Sequence, residues 1–442
     1  MTRLLKTALA CGAAAFAVCG AGDVPASREL ILLYTGDSGA EIESCGCNLL
    51  AYGGLARRAT LVDLFRGKYP EAIFVDVGDF FSPVAGEQAR LKSEISAEAY
   101  GTFGYDAVNL GEDEFIFGLD FFTSLAEAYD LPVISANVVD EGGAPLAPPF
   151  VIVERGGVAV GLVGFVNPEL AAGKDLGGAE IKPYGPELKR AMKELATQVD
   201  VIVCLAHIGN VDKAREFASR SPKEIDVVVA GHRGGRTPQA ESIKGRWMVY
   251  TRSRNRYVGV LKLAVDDEGD VVAAENQVIP VTRETAKEEH AQLLVEKYYE
   301  GLRVLVAEKK LLRPPEEVPA GGFVYVGAAA CAGCHPSQNE QWRGTGHASA
   351  YASLAAAGRE RDPECVACHV TGYGYRGGFD AEAKEEVQVD VGCEECHGPG
   401  EGHASSPTLA LLSVPEDTCL RCHDNERSPA FDFATYRGRV AH

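Results

Sequence analysis

The chain has little positive charge to set against its acids: 43 lysines and arginines face 63 aspartates and glutamates, a formal net charge of −20. Such a surface repels phosphate backbones and acidic headgroups, which argues against nucleic acid or an anionic membrane surface as partner. Beyond the N-terminal stretch no run is long and apolar enough to span a bilayer. No low-complexity tract is long enough to matter. Cysteine is scarce outside one region: of 13 cysteines, eight sit in a recurring pattern near the C-terminus. The other five (Cys11, Cys19, Cys45, Cys47 and Cys204) are too few for a disulfide framework. The 442 residues suffice for about two to three domains. The front part can bury a full α/β core, whereas the last quarter is too short and too glycine-rich to do so unaided.

That last quarter carries four C-x-x-C-H motifs: Cys331-Ala-Gly-Cys334-His335, Cys365-Val-Ala-Cys368-His369, Cys393-Glu-Glu-Cys396-His397 and Cys419-Leu-Arg-Cys422-His423. In a c-type haem site the two thiols add across the vinyl groups and the following histidine binds iron from the proximal side. One helical turn sets both sulfurs along one porphyrin edge and the histidine under the iron. A zinc ribbon or a disulfide scaffold needs no histidine after each cysteine pair. Four complete motifs therefore point to four covalent haems, which serve as the core of this region. The segment contains no methionine, so methionine ligation from within it is excluded. Its three further histidines, His347, His403 and His442, are candidates for the far side of the irons. If all three bind, three haems are bis-histidine, low-potential carriers, and the fourth is five-coordinate or borrows a ligand. The alternative for each is an exposed or propionate-bonding residue, most readily for His442 at a fraying chain end.

The N-terminus reads as an export signal over residues 1–27. Arg3 and Lys6 precede a small-residue apolar run, Thr7 to Val18, that is too short to span. Cys19 is a candidate lipidated first residue, although Val18 before it is bulky; otherwise cleavage falls near Gly20 to Ser27. Export and haem attachment agree on a periplasmic or extracellular location, with membrane contact only through a lipid anchor at Cys19.

From Glu29 to about Thr282, short continuous apolar runs alternate with helical patterns. Leu30–Tyr34, Ala72–Val77, Ala107–Leu110, Val133–Ala136, Val158–Phe165, Val201–Ala206 and Val227–Ala230 suit strands buried on both faces. Gly54–Arg66, Gln88–Thr102, Phe121–Tyr129, Glu187–Thr197 and Lys213–Ser219 are the helices between them. A hairpin follows, Val258–Val265 and Val271–Val281 around Asp266-Asp-Glu-Gly269-Asp. This alternation predicts a layered α/β domain over 28–283. Glu284–Lys310 reads as a connecting helix and Arg313 to Gly322 as a linker, together spanning 284–322. A small, mainly helical, haem-cored domain then occupies 323–442.

Polar residues collect just past the strand ends, where α/β sheets place ligands. They are Thr35-Gly-Asp37-Ser-Gly39, Val77-Gly-Asp79, Gly111-Glu112-Asp113-Glu114, His207-Ile-Gly209 and Gly231-His232-Arg-Gly234. Aspartates and histidines at strand ends are the layout of a two-metal site, in which a shared carboxylate bridges the ions. The order and spacing resemble the calcineurin-like metallophosphoesterases, in particular the exported 5′-nucleotidases. The resemblance implies a four-layer α/β/β/α sandwich. It places Asp37 and Asp79 as metal ligands, Asp79 bridging, with His207 and His232 as further ligands. Gly39 and Gly234 stand where that family has histidines, Glu112 where it has the ligand asparagine, and Asp113 where it has the catalytic histidine. Both lost histidines belong to one metal position. The other keeps Asp79, His207 and His232, with Glu112 able to replace the amide oxygen, so one divalent ion (Mn, Zn or Fe) is expected. The alternative is a degenerate scaffold in which His207 and His232 are satisfied polar residues at strand ends. The resemblance implies that the haem segment takes the place of the family's nucleotide-recognition domain.

Cys45-Gly-Cys47 either fills the vacancy at Gly39 as a softer metal site or redox pair, or forms a strained or mixed disulfide. Cys204, inside an apolar run, reads as a small buried hydrophobe. The haem segment resembles the cytochrome c-554 and c-prime group in Gln341-Trp342 through Thr345-Gly-His347-Ala to Tyr351, in Thr371-Gly372-Tyr373, and in His397-Gly-Pro-Gly400-Glu-Gly-His403. That resemblance implies haems stacked in close pairs, His347 and His403 as distal ligands, one haem with an open side, and electron transfer. The expected function is an extracytoplasmic multihaem electron carrier with redox proteins, other cytochromes among them, as partners, and self-assembly if a neighbour lends a ligand. The alternatives are a metal-dependent phosphoester or sulfur-ester hydrolase coupled to electron transfer, and a small-molecule redox enzyme at a five-coordinate haem.

Overall fold

The computed structural model describes residues 27–44, 53–312, 318–319, 321–383, 388–411, 413–424 and 427–442. The export signal up to residue 26, with Cys11 and Cys19, lies outside the described residues, as do the Cys45-Gly-Cys47 pair and residues 313–317 of the linker.

Fourteen strands are seen among the described residues: β1 (Arg28–Thr35), β2 (Ile73–Asp76), β3 (Ala107–Asn109), β4 (Val133–Ile134), β5 (Val138–Asp140), β6 (Phe150–Arg155), β7 (Val158–Val166), β8 (Ala179–Ile181), β9 (Val201–His207), β10 (Val227–Gly231), β11 (Glu241–Ile243), β12 (Arg246–Thr251), β13 (Tyr257–Val265) and β14 (Val271–Pro280). The front half adds helices α1 (Leu55–Lys68), α2 (Glu87–Thr102), α3 (Leu119–Ala128), α4 (Tyr184–Leu195), α5 (Val211–Arg220) and α6 (Glu289–Lys309). One six-stranded sheet runs β14-β13-β1-β2-β3-β4 and the other β11-β12-β10-β9-β7-β6; β5 and β8 form a small third pair. Each large sheet has a block of four parallel strands, β1-β2-β3-β4 in the first and β12-β10-β9-β7 in the second. The remaining strands pair antiparallel with their neighbours.

Three apolar cores separate four layers. In β1, Leu30, Leu32 and Tyr34 point between the sheets, against Val160, Val203 and Val229 of the opposite sheet. Ile31 and Leu33 point the other way, into the core under α1, α2 and α6. On the far side, Val163, Cys204 and Val228 pack beneath α4 and α5. This two-sided burial is why the strands read as unbroken apolar runs rather than alternating ones. Cys204 is fully buried among them.

The helix expected as a connector differs from its reading. It starts at Glu289, with the Glu288 carboxylate capping the His290 and Ala291 N–H groups, and it buries Leu294, Val295, Tyr298, Leu302 and Val306 against the front core. Its exposed polar residues hid an apolar stripe wide enough to dock.

The C-terminal part is helical: α7 (Ala328–Ala332), α8 (Pro336–Arg343), α9 (Ala350–Ala357), α10 (Pro363–His369), α11 (Cys393–His397), α12 (Glu401–Ser405), α13 (Glu416–Leu420) and α14 (Phe433–Val440). Helices α7, α8, α13 and α14 bury no residue. Of its buried apolar side chains, Leu354, Val366, Val370 and Phe379 join the front core. Helix α10, which carries the second C-x-x-C-H motif, is seated on the front half by polar contacts. Gln88 Nε2 donates to Asp362 Oδ1 at 2.8 Å and Lys92 pairs with Glu364. Arg359 pairs with Glu43 and lies over the Tyr299 ring. No helix among the described residues is long and apolar enough to cross a membrane.

Asp362 both caps α10, accepting from the Glu364 N–H, and accepts from Gln88. Asp362→Ala is expected to cost about 2 kcal/mol, from a lost N-cap and an orphaned buried donor. Chemical denaturation of the purified protein checks this, and haem content should fall with stability because the second motif loses its seat.

Candidate functional site

The C-terminal ends of parallel strands from both large sheets meet at one place. The chain passes from β1 to Asp37, from β2 to Asp79 and from β3 to Glu112 and Asp113; β9 ends on His207, and His232 follows β10. Asp79, Glu112, His207 and His232 are all buried, and each offers a ligand atom within 4.8 Å of the others'. Asp79 Oδ2 lies 3.2 Å from His207 Nε2 and 2.9 Å from His232 Nδ1; Glu112 Oε2 lies 3.1 Å from His207 Nε2. His207 Nδ1 sits 2.8 Å from the Val77 carbonyl, which accepts its N–H and leaves Nε2 to face the carboxylates. Two imidazoles and two carboxylates are a borderline nitrogen–oxygen donor set, suited to Mn, Zn or Fe. The residues fit a divalent ion.

The loops reach this geometry through uncommon backbone. Asp37 and Asp79 sit at φ 49° and 58°, the left-handed region that few non-glycine residues adopt and that aspartate tolerates better than most. Glu114 holds the two loops together. Its buried carboxylate accepts from the N–H groups of Phe80 at 2.7 Å, Gly111 at 2.6 Å, and Asp79 and Phe81 at 3.2 Å. Gly111 is required because a Cβ there would fall 2.2 Å from Asp79 Oδ1.

The electrostatics follow from burial. For Asp79, burial opposes ionisation, yet His207 and His232 hold its carboxyl well below the usual range. His207 is held well above its ordinary value: burial opposes the charged ring, and Asp79 and Glu112 outweigh it. Asp113 is pushed up to about 7 by burial and by the charges of Asp79 and Glu112, against Lys174. Glu114 is pushed up to about 8 by burial and Asp79. This packing of carboxylates calls for a cation.

Of the five ligands expected from the sequence, four converge and Asp37 stands aside. Its Oδ2 lies 3.3 Å from Arg252 Nε instead. Asp113 lines the site without joining the four-ligand group, held at 2.9 Å by the Lys174 ammonium, which also reaches Glu112 Oε1 at 2.9 Å. Lys174, Arg252 and Arg254 were not foreseen, and Glu114 was named without its role. Arg252 and Arg254 had a readable signal, alternate arginines directly after a buried strand; Lys174 lies in a loop with none.

The haem motifs show a second arrangement. His335 and His403 rings have centroids 6.0 Å apart, His423 and His347 6.2 Å, and His397 and His442 5.8 Å. Two imidazoles ligating one metal from opposite sides, with each nitrogen about 2 Å from it, place their centroids roughly 6 Å apart. Each pair joins a motif histidine to one of the three spare histidines. His369 Nδ1 lies 2.7 Å from the Ala350 carbonyl and His403 Nδ1 2.6 Å from that of Leu409, which leaves Nε2 as the ligating atom of each. Among the described residues no histidine ring faces His369. The Cys331 thiol contacts Cys393, and Cys368 contacts Cys422, so the first motif adjoins the third and the second adjoins the fourth. These residues fit c-type haem.

Residues 330–398 match the family model of cytochrome c554 and c-prime. The front part is similar to 5′-nucleotidases. The snake venom 5′-nucleotidase of Gloydius brevicauda is 27% identical over 312 residues, 63% of this chain and 53% of that one. The solved calcineurin-like phosphoesterase YfkN of Bacillus subtilis superposes with a TM-score of 0.55 at 25% identity, covering 64% of this chain and 100% of that one. The 5′-nucleotidase precursor of Thermus thermophilus gives 0.54 at 22% identity, over 66% of this chain and 61% of that one. The front half has the metallophosphoesterase fold. The chain spans about half the length of the first curated relatives it matches.

Gly111→Ala is expected to displace Asp79 and lower affinity for Mn²⁺ or Zn²⁺ by about 10–100-fold, the range seen when a ligand's support is removed. Titration calorimetry on the metal-stripped chain measures it. Gly185→Ala, where a Cβ meets nothing within 4 Å, is the matched control and should leave affinity unchanged.

Proposed function

We propose that the chain is an exported multihaem c-type cytochrome that carries electrons through four covalently bound haems, with a front domain that holds a divalent ion. The observation that carries this reading is the set of three histidine pairs about 6 Å apart, each made of one motif histidine and one outside the motifs. Haem, when bound, supplies one-electron redox chemistry whose potential follows axial ligation and burial. His335 with His403, His423 with His347, and His397 with His442 would hold three of the haem irons, and His369 would hold the fourth without a facing histidine among the described residues. The adjoining thiols of motifs one and three, and of two and four, support haems set in close pairs. The division between the two parts falls after α6, whose buried face belongs to the front core.

The work is done outside the cytoplasmic membrane, in the periplasm or beyond, with redox proteins such as other cytochromes as partners. Thioether attachment and the export signal support this placement, and the net charge of −20 favours partners with basic faces. A second copy lending a histidine to the His369 side is the route by which the chain would self-assemble.

A second reading, a metal-dependent phosphoester hydrolase coupled to the haems, is favoured by the buried Asp79, Glu112, His207 and His232 cluster and by the likeness to 5′-nucleotidases. AMP hydrolysis with added Mn²⁺ tests it, and absence of turnover sinks it.

The haem reading predicts four haems per chain by pyridine haemochromogen and intact mass, with three low-spin signals and one high-spin signal in electron paramagnetic resonance. His403→Ala should convert one low-spin haem to high-spin and leave the count at four. An unchanged spectrum in that variant rejects the pairing with His335.

A further inference from the structure

Asp37 lies beside the four-ligand cluster but takes no part in it. Its side chain is 12% exposed and its Oδ2 lies 3.3 Å from Arg252 Nε, in ion-pair range but without hydrogen-bond alignment. The backbone makes this placement firm. Asp37 N–H donates to the Gly78 carbonyl at 2.8 Å, and Arg254 N–H donates to the Asp37 carbonyl at 2.8 Å. Ser253 N–H donates to the Gly36 carbonyl, also at 2.8 Å. The Asp37 loop is therefore clamped between the Asp79 loop and the segment after β12. A Cβ at Gly39 would meet Pro83 Cδ at 3.7 Å and the Arg254 Nη1 atom at 4.0 Å. Arg254 is fixed there by Glu41, whose Oε2 accepts from Nη2 at 2.7 Å.

The charges then pair off. Asp113 has Lys174, Asp37 has Arg252 and Glu41 has Arg254. Glu112 shares Lys174 with Asp113, and together with Asp79 it faces the two histidines, a donor set that one divalent cation completes. A second ion beside Asp37 would have to sit within a few ångströms of guanidinium groups that cannot lose their protons, and in a partly buried site that repulsion is weakly screened.

We propose that Arg252 and Arg254 stand in for a second metal ion, so that this site takes a single divalent cation on Asp79, Glu112, His207 and His232. This rests on the metal-binding reading of the cluster and deepens it. A guanidinium can hold an anion in place, but it cannot lower the pKa of a bound water as a metal ion does. The Asp37 side therefore binds rather than activates.

The test uses the full-length haem-loaded chain, stripped of loosely held metal and reloaded with Mn²⁺. Metal is counted by mass spectrometry, and haem iron is counted separately as the haemochromogen. One Mn²⁺ per chain at saturation, with the six-line spectrum of an isolated ion, is the expected result. Two ions per chain with an exchange-coupled spectrum overturn the inference while leaving the metal-site reading intact. No bound ion overturns that reading and the inference with it. Arg252→Gln should open a second, at least tenfold weaker Mn²⁺ site, whereas Arg252→Lys should keep one. An Arg252→Gln protein that still saturates at one ion, with unchanged affinity, also overturns the inference.

Discussion

Asp79 is a carboxylate placed where water cannot reach it, and the front half is arranged to compensate its charge. It is 1% exposed. An isolated charge at such depth would be neutralised or expelled. Its partners come from both sheets: Glu112 from beyond β3 in the first, His207 and His232 from β9 and β10 in the second. Their meeting depends on how the sheets stack, and Val77 fixes that locally. Its carbonyl accepts from His207, while its side chain lies where a Cβ on Gly36 or Gly231 would come within 2.1 or 2.2 Å. Glycine at those two positions lets one valine wedge between a loop of each sheet. The inter-sheet core and the site are thus one piece of packing.

The C-terminal part obeys the opposite rule. Among the described residues it buries few apolar side chains of its own, and several of its short helices bury nothing. What organises it is the placement of ligand residues: thiols that adjoin across motifs, and histidines spaced for a metal between them. Small metal-bound domains can take their core from their cofactors, and this region has the ligand residues for that. The contacts that tie it to the front half concentrate on α10 and the turn before it, at Arg359, Asp362, Glu364 and Val366. The second motif is therefore the best-supported of the four by protein alone, and it is the one whose histidine faces no other.

The sequence made legible what has a strong local signature. Continuous apolar runs gave the buried strands, because burial on both faces leaves no alternation to misread. C-x-x-C-H spacing marked four histidines by local pattern alone, and the three remaining histidines of that region each have a ring about 6 Å from a motif histidine. The front-site ligands were visible as strand-end residues. Other features had no such mark. Strand β6 alternates more and less buried positions at the sheet edge, and β12 follows a polar hairpin, so neither stood out. Lys174 reaches Glu112 and Asp113 from a loop whose path depends on tertiary packing. Glu114 is a buried acid whose role is to accept backbone N–H groups, which one-dimensional spacing cannot distinguish from a ligand.

The two halves are joined more closely than a linker would join them. Helix α2 begins at Glu87, just past the Asp79 loop, and is pinned to that loop by Ser96 Oγ donating to the Phe80 carbonyl at 2.7 Å and Ser82 N–H donating to Ser93 Oγ at 3.1 Å. The same helix presents Gln88 and Lys92 to Asp362 and Glu364 at the head of α10. The stretch from Gln88 to Ser96 of one helix therefore contacts both the loop that positions Asp79 and the seat of the second haem motif. Packed helices move as bodies rather than bending locally. A shift in the Asp79 loop therefore has a physical path to α10 through α2. The front half and the second C-x-x-C-H motif therefore meet through side-chain contacts built into the fold, not through the linker alone.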